Sequence, residues 1–281
     1  MSAKTPEELI AAAQDWWSTG IIRMRPGVIE FRGYPVEELI GRVSFSQMIW
    51  LLLRGELATP RQLALLEAAL AASVDHGPHA PSIAIARMAA SCGVDLNNAM
   101  ASAANVLGDS HGGAGEQCME LLHEVKRRLD EGEALAPAID AALDDEVRRR
   151  GKIIAGFGHR FHPIDPRCAP LLAVVDKARD EGTVSGAFAE IARTAEAAIA
   201  RRTGKAIPMN IDGATAVIFA ELGFAPALGR GLFVLARSVG ILAHAWEQMQ
   251  TGERNKGPMP KEIPFNYVGP PRRAFGEDGE N

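Results

Sequence analysis

Apolar residues recur every three or four positions along most of the chain, which is the spacing of one face of an α-helix. The pattern is clearest in residues 44–57 (SFSQMIWLLLRGEL), 61–74 (RQLALLEAALAASV) and 188–202 (FAEIARTAEAAIARR). Strand-like alternation is limited to residues 24–34 (MRPGVIEFRGY), which predict a short hairpin. The pattern therefore predicts a mainly α fold.

Segments rich in glycine and proline interrupt the helical pattern at five places. Loops and helix ends are where a scaffold directs polar groups at a ligand, and five of the seven histidines lie in or beside these breaks. The sequence therefore predicts one site that is assembled from separate segments. The breaks are residues 77–81 (GPHAP), 108–115 (GDSHGGAG), 156–166 (GFGHRFHPIDP), 205–213 (KAIPMNIDG) and 257–271 (GPMPKEIPFNYVGPP).

The composition narrows the class of protein. The 281 residues carry a formal net charge of -5 and contain no zinc-finger or basic-zipper pattern, so nucleic acid is not an expected partner. No apolar run reaches the roughly 18 residues of a membrane span, and the N-terminus lacks a signal-peptide pattern. We therefore expect a cytoplasmic protein with no membrane partner. The odd cysteine count without C-x-x-C spacing predicts reduced, buried thiols at Cys92, Cys118 and Cys168.

His111 precedes two glycines and then a helical pattern. Glycines let the backbone approach a ligand closely, and the unpaired N–H groups of a helix N-terminus lower the pKa of a neighbouring histidine. A neutral imidazole in this place can donate a hydrogen bond to a ligand carbonyl. The alternative interpretation is a histidine that caps a turn.

Asp212 lies between a proline and an apolar helical pattern. Its carboxylate can cap that helix. At an apolar helix start it can also be partly desolvated, and so become basic enough to take a proton from carbon. Both interpretations stay open at this point.

Two arginines are candidates for binding an acid. Arg237 lies in a long apolar run and must find an anion or be buried at high cost, and Arg167 follows Asp165-Pro166. The forked donors of a guanidinium group match a carboxylate. That carboxylate can belong to a substrate or to an internal acidic side chain.

The pairs His76/His79 and His159/His162 have the spacing of two metal ligands one helical turn apart. Prolines within or beside both pairs disturb the regular helix that such a site needs, so we expect no metal. The chain also lacks a phosphate-binding loop, a dinucleotide fingerprint and a G-x-S-x-G motif. The remaining histidines, carboxylate and arginines indicate acid–base chemistry on a polycarboxylate.

Six segments, in this order along nearly the whole chain, resemble the citrate synthase superfamily. They are FRGYPVEELIGRVSFSQMIWLLLRGEL (31–57), VDHGPHAPS (74–82), SHGGAGE (110–116), GFGHRFHPIDPR (156–167), NIDGATAVIFAELGF (210–224) and GLFVLARSVGILAHAWEQ (231–248). The resemblance implies an all-helical fold with a large domain of residues 1–110 and 230–281 and a small domain of residues 111–229. It also implies a homodimer or a higher homo-oligomer.

The resemblance implies a coenzyme A (CoA) thioester as substrate, with CoA as the carrier of the acyl group. His111 would polarise the thioester carbonyl, and Asp212 would transfer the proton at the α-carbon of the acyl group. The backbone of Gly156, Phe157 and Gly158 would approach CoA.

The same resemblance assigns the polycarboxylate to four side chains. His76 and His159 would contact the keto or hydroxyl oxygen and the carboxylates of an oxaloacetate or citrate group. Arg167 and Arg237 would bind carboxylates. The catalytic residues implied by the resemblance are thus His111, His159 and Asp212.

Three departures from typical citrate synthases favour the lyase direction. The chain is shorter, and NIDGATAV (210–217) and DHGP (75–78) are closer to the citryl-CoA lyase module of ATP-citrate lyase. No arginine precedes Tyr267-Val268-Gly269 at the place where synthases supply one to the neighbouring subunit; Lys261 and Arg272 are the candidates to replace it.

We therefore expect a lyase that splits citryl-CoA, or a related 3-hydroxy-polycarboxyl-CoA, into acetyl-CoA and oxaloacetate. A small citrate or methylcitrate synthase and a non-catalytic CoA-binding subunit are the alternatives.

Overall fold

The three helices with the clearest sequence pattern are present, and their ends carry the expected signals. In the computed structural model, which describes residues 5–273, α3 (Phe45–Arg54) is capped by the Ser44 side chain and ends at Gly55 in the left-handed region. A capping box of Thr59 and Gln62 starts α4 (Pro60–Ala72). Gly204 ends α10 (Ala187–Thr203). These predictions are confirmed.

The predicted hairpin is confirmed and has one more short strand. β1 (Ile22–Arg25) pairs antiparallel with β2 (Val28–Phe31), and β2 pairs with β3 (Tyr34–Pro35). The turn between β1 and β2 contains Gly27 with a φ of 76°, a conformation that glycine adopts without strain.

The remaining helices complete a mainly α fold, as the sequence predicts, with twelve helices and one three-stranded sheet in residues 5–273. They are α1 (Pro6–Trp16), α2 (Val36–Leu39), α5 (Pro81–Ser91), α6 (Leu96–Ala104), α7 (Ala114–Asp130), α8 (Leu135–Arg150), α9 (Cys168–Asp180), α11 (Ile211–Glu221) and α12 (Pro226–Gln250).

Helix α11 is the central element of the core. It is apolar on all sides and buried along almost its whole length, as expected of a helix that other helices surround. Helices α4, α7, α9 and α10 pack against it. Its N-terminus, where Asp212 lies, is therefore held in position by the packed core.

The chain forms two compact units. Unit 1 comprises Met1–Asp75 and Leu107–Val239, and unit 2 comprises His76–Val106 and Gly240–Asn281. Within unit 2, α5 packs against α6, and the Arg87 side chain donates a hydrogen bond to the buried Gln248. The division into a large and a small domain at residues 110 and 230 stays a prediction.

The three cysteines differ in burial. Cys118 and Cys168 are buried as predicted, but Cys92 is exposed, because it follows the last turn of α5 and lies off the packed face of that helix.

Helix α12 is long and apolar enough to cross a membrane by length and composition alone. A core helix of a soluble protein passes the same test, so this feature is weak evidence for a span.

Candidate active site

His111 lies in a tight turn immediately before α7. Its backbone N–H donates to the Gly108 carbonyl at 3.3 Å. A Cβ on Gly113 would lie 2.8 Å from the Cα of Asp109, and Gly112 has a φ of 98°, so both positions require glycine. The two glycines thus fix the path of the turn that presents His111.

The environment of His111 favours its neutral form. Burial lowers the pKa of the imidazole below its usual value, and the positive charge of Arg237 lowers it further. The side chain can therefore act near neutral pH as a hydrogen-bond donor that does not carry a full charge.

Asn210, rather than Asp212, caps α11. The Oδ1 atom of Asn210 accepts hydrogen bonds from the backbone N–H groups of Asp212 at 2.9 Å and Gly213 at 3.3 Å. In residues 5–273 the Asp212 carboxylate has no hydrogen-bond or ion-pair partner. The capping interpretation of Asp212 is therefore wrong, and its carboxylate is available for chemistry.

The pKa of Asp212 is raised. Burial disfavours the carboxylate, and the negative charge of Asp165 adds to this effect, while the positive charges of Arg167 and Arg237 oppose it. A carboxyl group in this environment is a stronger base when ionised, and holds its proton to a higher pH, than an exposed one.

Residues 156–158 lie directly on the start of α11. The backbone N–H of Asn210 donates to the Gly156 carbonyl at 2.9 Å, and that of Gly158 donates to the Pro208 carbonyl at 2.7 Å. A Cβ on Gly213 would lie 2.5 Å from the Gly156 oxygen, so no side chain fits between the loop and the helix.

His159 follows this loop and has a defined tautomer. Its Nδ1 atom accepts hydrogen bonds from the backbone N–H groups of Phe161 at 3.0 Å and His162 at 3.1 Å. Nδ1 is therefore unprotonated, and the neutral ring carries its hydrogen on Nε2. Burial lowers the pKa of His159; the charges of His162 and Arg167 lower it further, against the opposing effect of Asp165.

Arg167 pairs with an internal acid. Its Nε and Nη2 atoms donate to the two carboxylate oxygens of Asp165 at 2.9 and 2.8 Å. Asp165 also accepts the backbone N–H of Ile211 at 3.0 Å and is only 2% exposed. Burial alone would raise its pKa, but the hydrogen bonds and the charge of Arg167 lower it to about 2. The internal-acid interpretation therefore holds for Arg167.

Arg237 is buried, with 5% of its surface exposed. Its Nε donates to the Ser73 carbonyl at 3.2 Å, and its guanidinium carbon lies 4.8 Å from the centre of the Phe233 ring. Burial lowers the pKa of this arginine, and the charges of Asp75 and Asp212 oppose the shift.

Unit 1 brings five of the six candidate side chains into electrostatic contact. The charge of Arg237 acts on His111 and on Asp212, and that of Arg167 acts on Asp212 and on His159. His76 is the first residue of unit 2. Sequence reasoning missed the roles of Asp165 and Asn210, although an asparagine just before a helix is a strong capping signal.

An apolar cavity of about 600 Å³ lies beside the loop. Phe157 lines it together with side chains from the last turns of α8 and α10. Three charged side chains also line it: Lys152, and Arg202 with its partner Asp144. The lining includes Val147, Ile153, Ile199 and Ile207.

The model of the citrate synthase C-terminal domain matches residues 12–73 and 63–258, which is most of the chain. The chain belongs to the citrate synthase family. Among solved structures of this family fold, citryl-CoA lyase from Hydrogenobacter thermophilus is 33% identical with a TM-score of 0.79, and the match covers 92% of this chain and 97% of that one. The predicted family and its fold are confirmed.

Other relatives differ in length. A putative citrate synthase 2 of Mycobacterium tuberculosis is 30% identical over 227 residues. The match covers 78% of this chain but only 55% of that relative, so the chain spans about half of its length. ATP citrate lyase from Methanothrix soehngenii, solved with citrate and coenzyme A, has a TM-score of 0.74 at 22% identity and shares the fold over 96% of this chain and 45% of that chain.

Proposed function

We propose that this member of the citrate synthase family is a lyase that cleaves citryl-CoA, or a closely related 3-hydroxy-polycarboxyl-CoA, into acetyl-CoA and oxaloacetate. The chemistry is argued from the Asp212 carboxylate, which has a raised pKa and no hydrogen-bond or ion-pair partner in residues 5–273. The likeness to citryl-CoA lyase over nearly the full length of both chains supports the direction.

The proposed reaction breaks the carbon–carbon bond between the hydroxyl-bearing carbon and the α-carbon of the thioester. The alcohol loses its proton to a group near His159, the electrons of the broken bond form the thioester enolate, and the former alcohol carbon becomes a ketone. Asp212 then donates its proton to the enolate carbon, which yields acetyl-CoA. The proton that the alcohol released balances the one that Asp212 gave up, so the reaction has no net change in protons. Burial raises the pKa of Asp212, which favours the protonated carboxyl group that this step requires.

His111 and His159 would stabilise the two oxygens on which charge changes. A neutral His111 donates to the thioester oxygen as the enolate forms. The Nε2 hydrogen of His159 suits a donor to the hydroxyl or keto oxygen. Because Nδ1 faces two backbone N–H groups, His159 itself is a poor acceptor for the alcohol proton.

The carboxylates of the substrate would meet the two arginines. The Nη1 atom of Arg167 lies outside its pairing with Asp165. The Nη1 and Nη2 atoms of Arg237 lie outside its hydrogen bond to Ser73. His76 is proposed as a further ligand of the polycarboxylate. Arg237 is buried, and a buried guanidinium group binds carboxylates strongly because little water competes for it.

CoA would lie along Gly156, Phe157 and Gly158. Gly156 and Gly158 offer backbone groups, and a Cβ at Gly156 would lie 2.5 Å from the Cys118 sulfur. Phe157 lines the apolar cavity. We assign part of the CoA molecule to that cavity, whose lining includes Lys152 as a cation that can meet its phosphates. The proposed chemistry uses no metal.

Coupled assays in both directions test the proposal. We expect cleavage of supplied citryl-CoA, measured through the reduction of the oxaloacetate released. Condensation of acetyl-CoA with oxaloacetate without any cleavage of citryl-CoA would overturn the lyase and favour a small citrate or methylcitrate synthase. Citrate synthase is the activity in the name of the Mycobacterium tuberculosis relative. Binding of CoA without turnover in either direction would favour a non-catalytic subunit.

We further propose that the protein assembles as a homodimer or a multiple of it. Exposed apolar residues on α12 follow each other at steps of four, three, four and three, the spacing of a helix seam that packs against another helix. A second copy of the same helix offers a matching seam. The residues are Leu235, Val239, Leu242, Trp246 and Met249.

A further inference from the structure

Asn210 uses every polar atom of its side chain, and it does so in two directions. Its Oδ1 accepts from the N–H groups of Asp212 and Gly213, and its Nδ2 donates to the Gly158 carbonyl at 2.5 Å. The residue is 8% exposed. One amide group thus joins the loop that ends at Gly158 to the helix turn that carries Asp212.

The backbone around Asn210 reinforces this link. The chain from Pro208 to Asn210 runs antiparallel to the loop, with a bridge between Phe157 and Met209 and hydrogen bonds on either side of it. Opposite Gly158 the ladder has Pro208, which has no backbone N–H to donate to the Gly158 carbonyl. The Asn210 side chain donates to this carbonyl instead. A displacement of the loop therefore pulls on the same amide group that caps α11.

We infer that Asn210 is a positioning residue that sets the CoA loop and the Asp212 carboxylate in register with each other. This inference rests on the proposed function, because it gives the loop and Asp212 their roles in one reaction. Asn210 acts through both elements: Nδ2 fixes where the thioester lies, and Oδ1 fixes where the carboxylate lies.

The two halves of the amide group can be separated by substitution. Asn210→Ser keeps an oxygen that can cap α11 but removes the donor to Gly158, whereas Asn210→Ala removes both. Thr59→Ala is the matched control, because it removes the capping side chain of α4, also in unit 1, and leaves residues 156–158 and 210 unchanged.

Two readouts test the inference. Hydrogen exchange of the peptide covering residues 155–163 reports the loop without any need for activity, and steady-state kinetics with citryl-CoA report the reaction. For Asn210→Ser we expect faster exchange of this peptide and a KM for the thioester raised about fivefold, the effect of one lost hydrogen bond, with kcat nearly unchanged. For Asn210→Ala we expect the same rise in KM and a further fall in kcat of roughly tenfold or more, because Asp212 is then misplaced.

The outcomes distinguish this inference from the proposed function. If Asn210→Ser leaves both the exchange of residues 155–163 and the KM at wild-type values, the inference is overturned. The same holds if Thr59→Ala raises the KM as much as Asn210→Ser does, since a general loss of stability would then explain the effect. If the wild-type protein neither binds CoA nor turns over any thioester, the proposed function fails, and with it the positioning role that depends on it, even where the exchange data support the link.

Discussion

The backbone of Gly156 packs directly against the side chain of Cys118. A Cβ on Gly156 would lie 2.5 Å from the Cys118 sulfur and 3.0 Å from the Cα of Gly213. Gly156 also has a φ of 86°, in the left-handed region. The loop that we assign to CoA therefore sits on the core with no space for any side chain at this position.

Gly156→Ala should destabilise the protein much more than the same change at an open glycine. Gly132 has a φ of 94° and nothing within 4 Å of an added Cβ, so Gly132→Ala carries backbone strain alone, of about 1 kcal/mol. Overpacking against Cys118 should add about 1–3 kcal/mol at Gly156. Urea unfolding of both variants measures the difference; equal losses would mean that the loop moves aside freely.

Asp212→Asn should abolish most activity and raise stability. Loss of a general acid–base group lowers kcat by about 10²–10⁴-fold, while the affinity for CoA should hardly change. A carboxyl group whose pKa is raised by folding stabilises the fold below its unfolded pKa and loses that contribution as pH rises through its folded pKa. Above the unfolded pKa the wild type must either bury a charge or keep a proton that the unfolded chain would release. Both cost stability at pH 7, and the amide removes that cost.

Chemical denaturation of Asp212→Asn at pH 7 and pH 4 checks this second effect. The variant should exceed the wild type in free energy of unfolding at pH 7, and the excess should shrink towards pH 4. Wild-type turnover in this variant would remove Asp212 from the mechanism.

Asp165 should contribute acid-sensitive stability. Its pKa is lowered from 3.8 to about 2, so its contribution is complete above pH 4 and is lost as the pH falls through 2. The shift corresponds to about 2 kcal/mol. Between pH 5 and pH 2 the unfolding free energy of the wild type should therefore fall more steeply than that of Asp165→Asn. Asp15→Asn, at an exposed residue of α1, should follow the wild type.

Arg237 should control the titration of His111. Because its charge helps to lower the pKa of His111, replacement by methionine should raise that pKa, whereas lysine, which keeps a charge, should largely preserve it. NMR titration of the His111 ring, free of substrate, measures the two variants. An unchanged pKa in Arg237→Met would leave burial as the only cause of the shift.

Trp246→Glu should disrupt self-association through α12. A charge in the middle of the apolar seam opposes the packing of two copies, so light scattering should give a smaller mass than for the wild type, with unchanged helix content in circular dichroism. Phe45→Glu, at another exposed apolar residue, serves as the control. A wild-type monomer would contradict the proposed dimer.

The local features of this fold could be predicted from the sequence, and the contacts within the site could not. The helix from Phe45 to Arg54 follows from its apolar spacing, its Ser44 cap and Gly55. The partner of Arg167 did not follow, because an Asp two positions away in an irregular loop has no periodicity that fixes its direction. The effect of Arg237 on His111 joins two distant parts of the chain, which no local pattern connects.

The helix start at Asp212 shows the limit most clearly. Sequence reasoning considered Asp212 as the capping residue and overlooked Asn210, since helix ends are uncertain by one or two residues in any pattern. Only the hydrogen bonds decide that Asn210 caps the helix and that Asp212 does not. The chemical interpretation of the carboxylate depends on this difference of two residues.

The short ladder between residues 156–158 and 208–210 joins the two ends of the segment that contains α9 and α10. The chain leaves this ladder after residue 158, forms α9 and α10, and returns to it at residue 208. The two ends of the intervening segment are therefore joined at the ladder, which we call its base. Relatives can lengthen, shorten or remodel such a segment at its outer end, near Gly182, without moving the base. A change of length at that outer end would alter the surface and leave the candidate site in place.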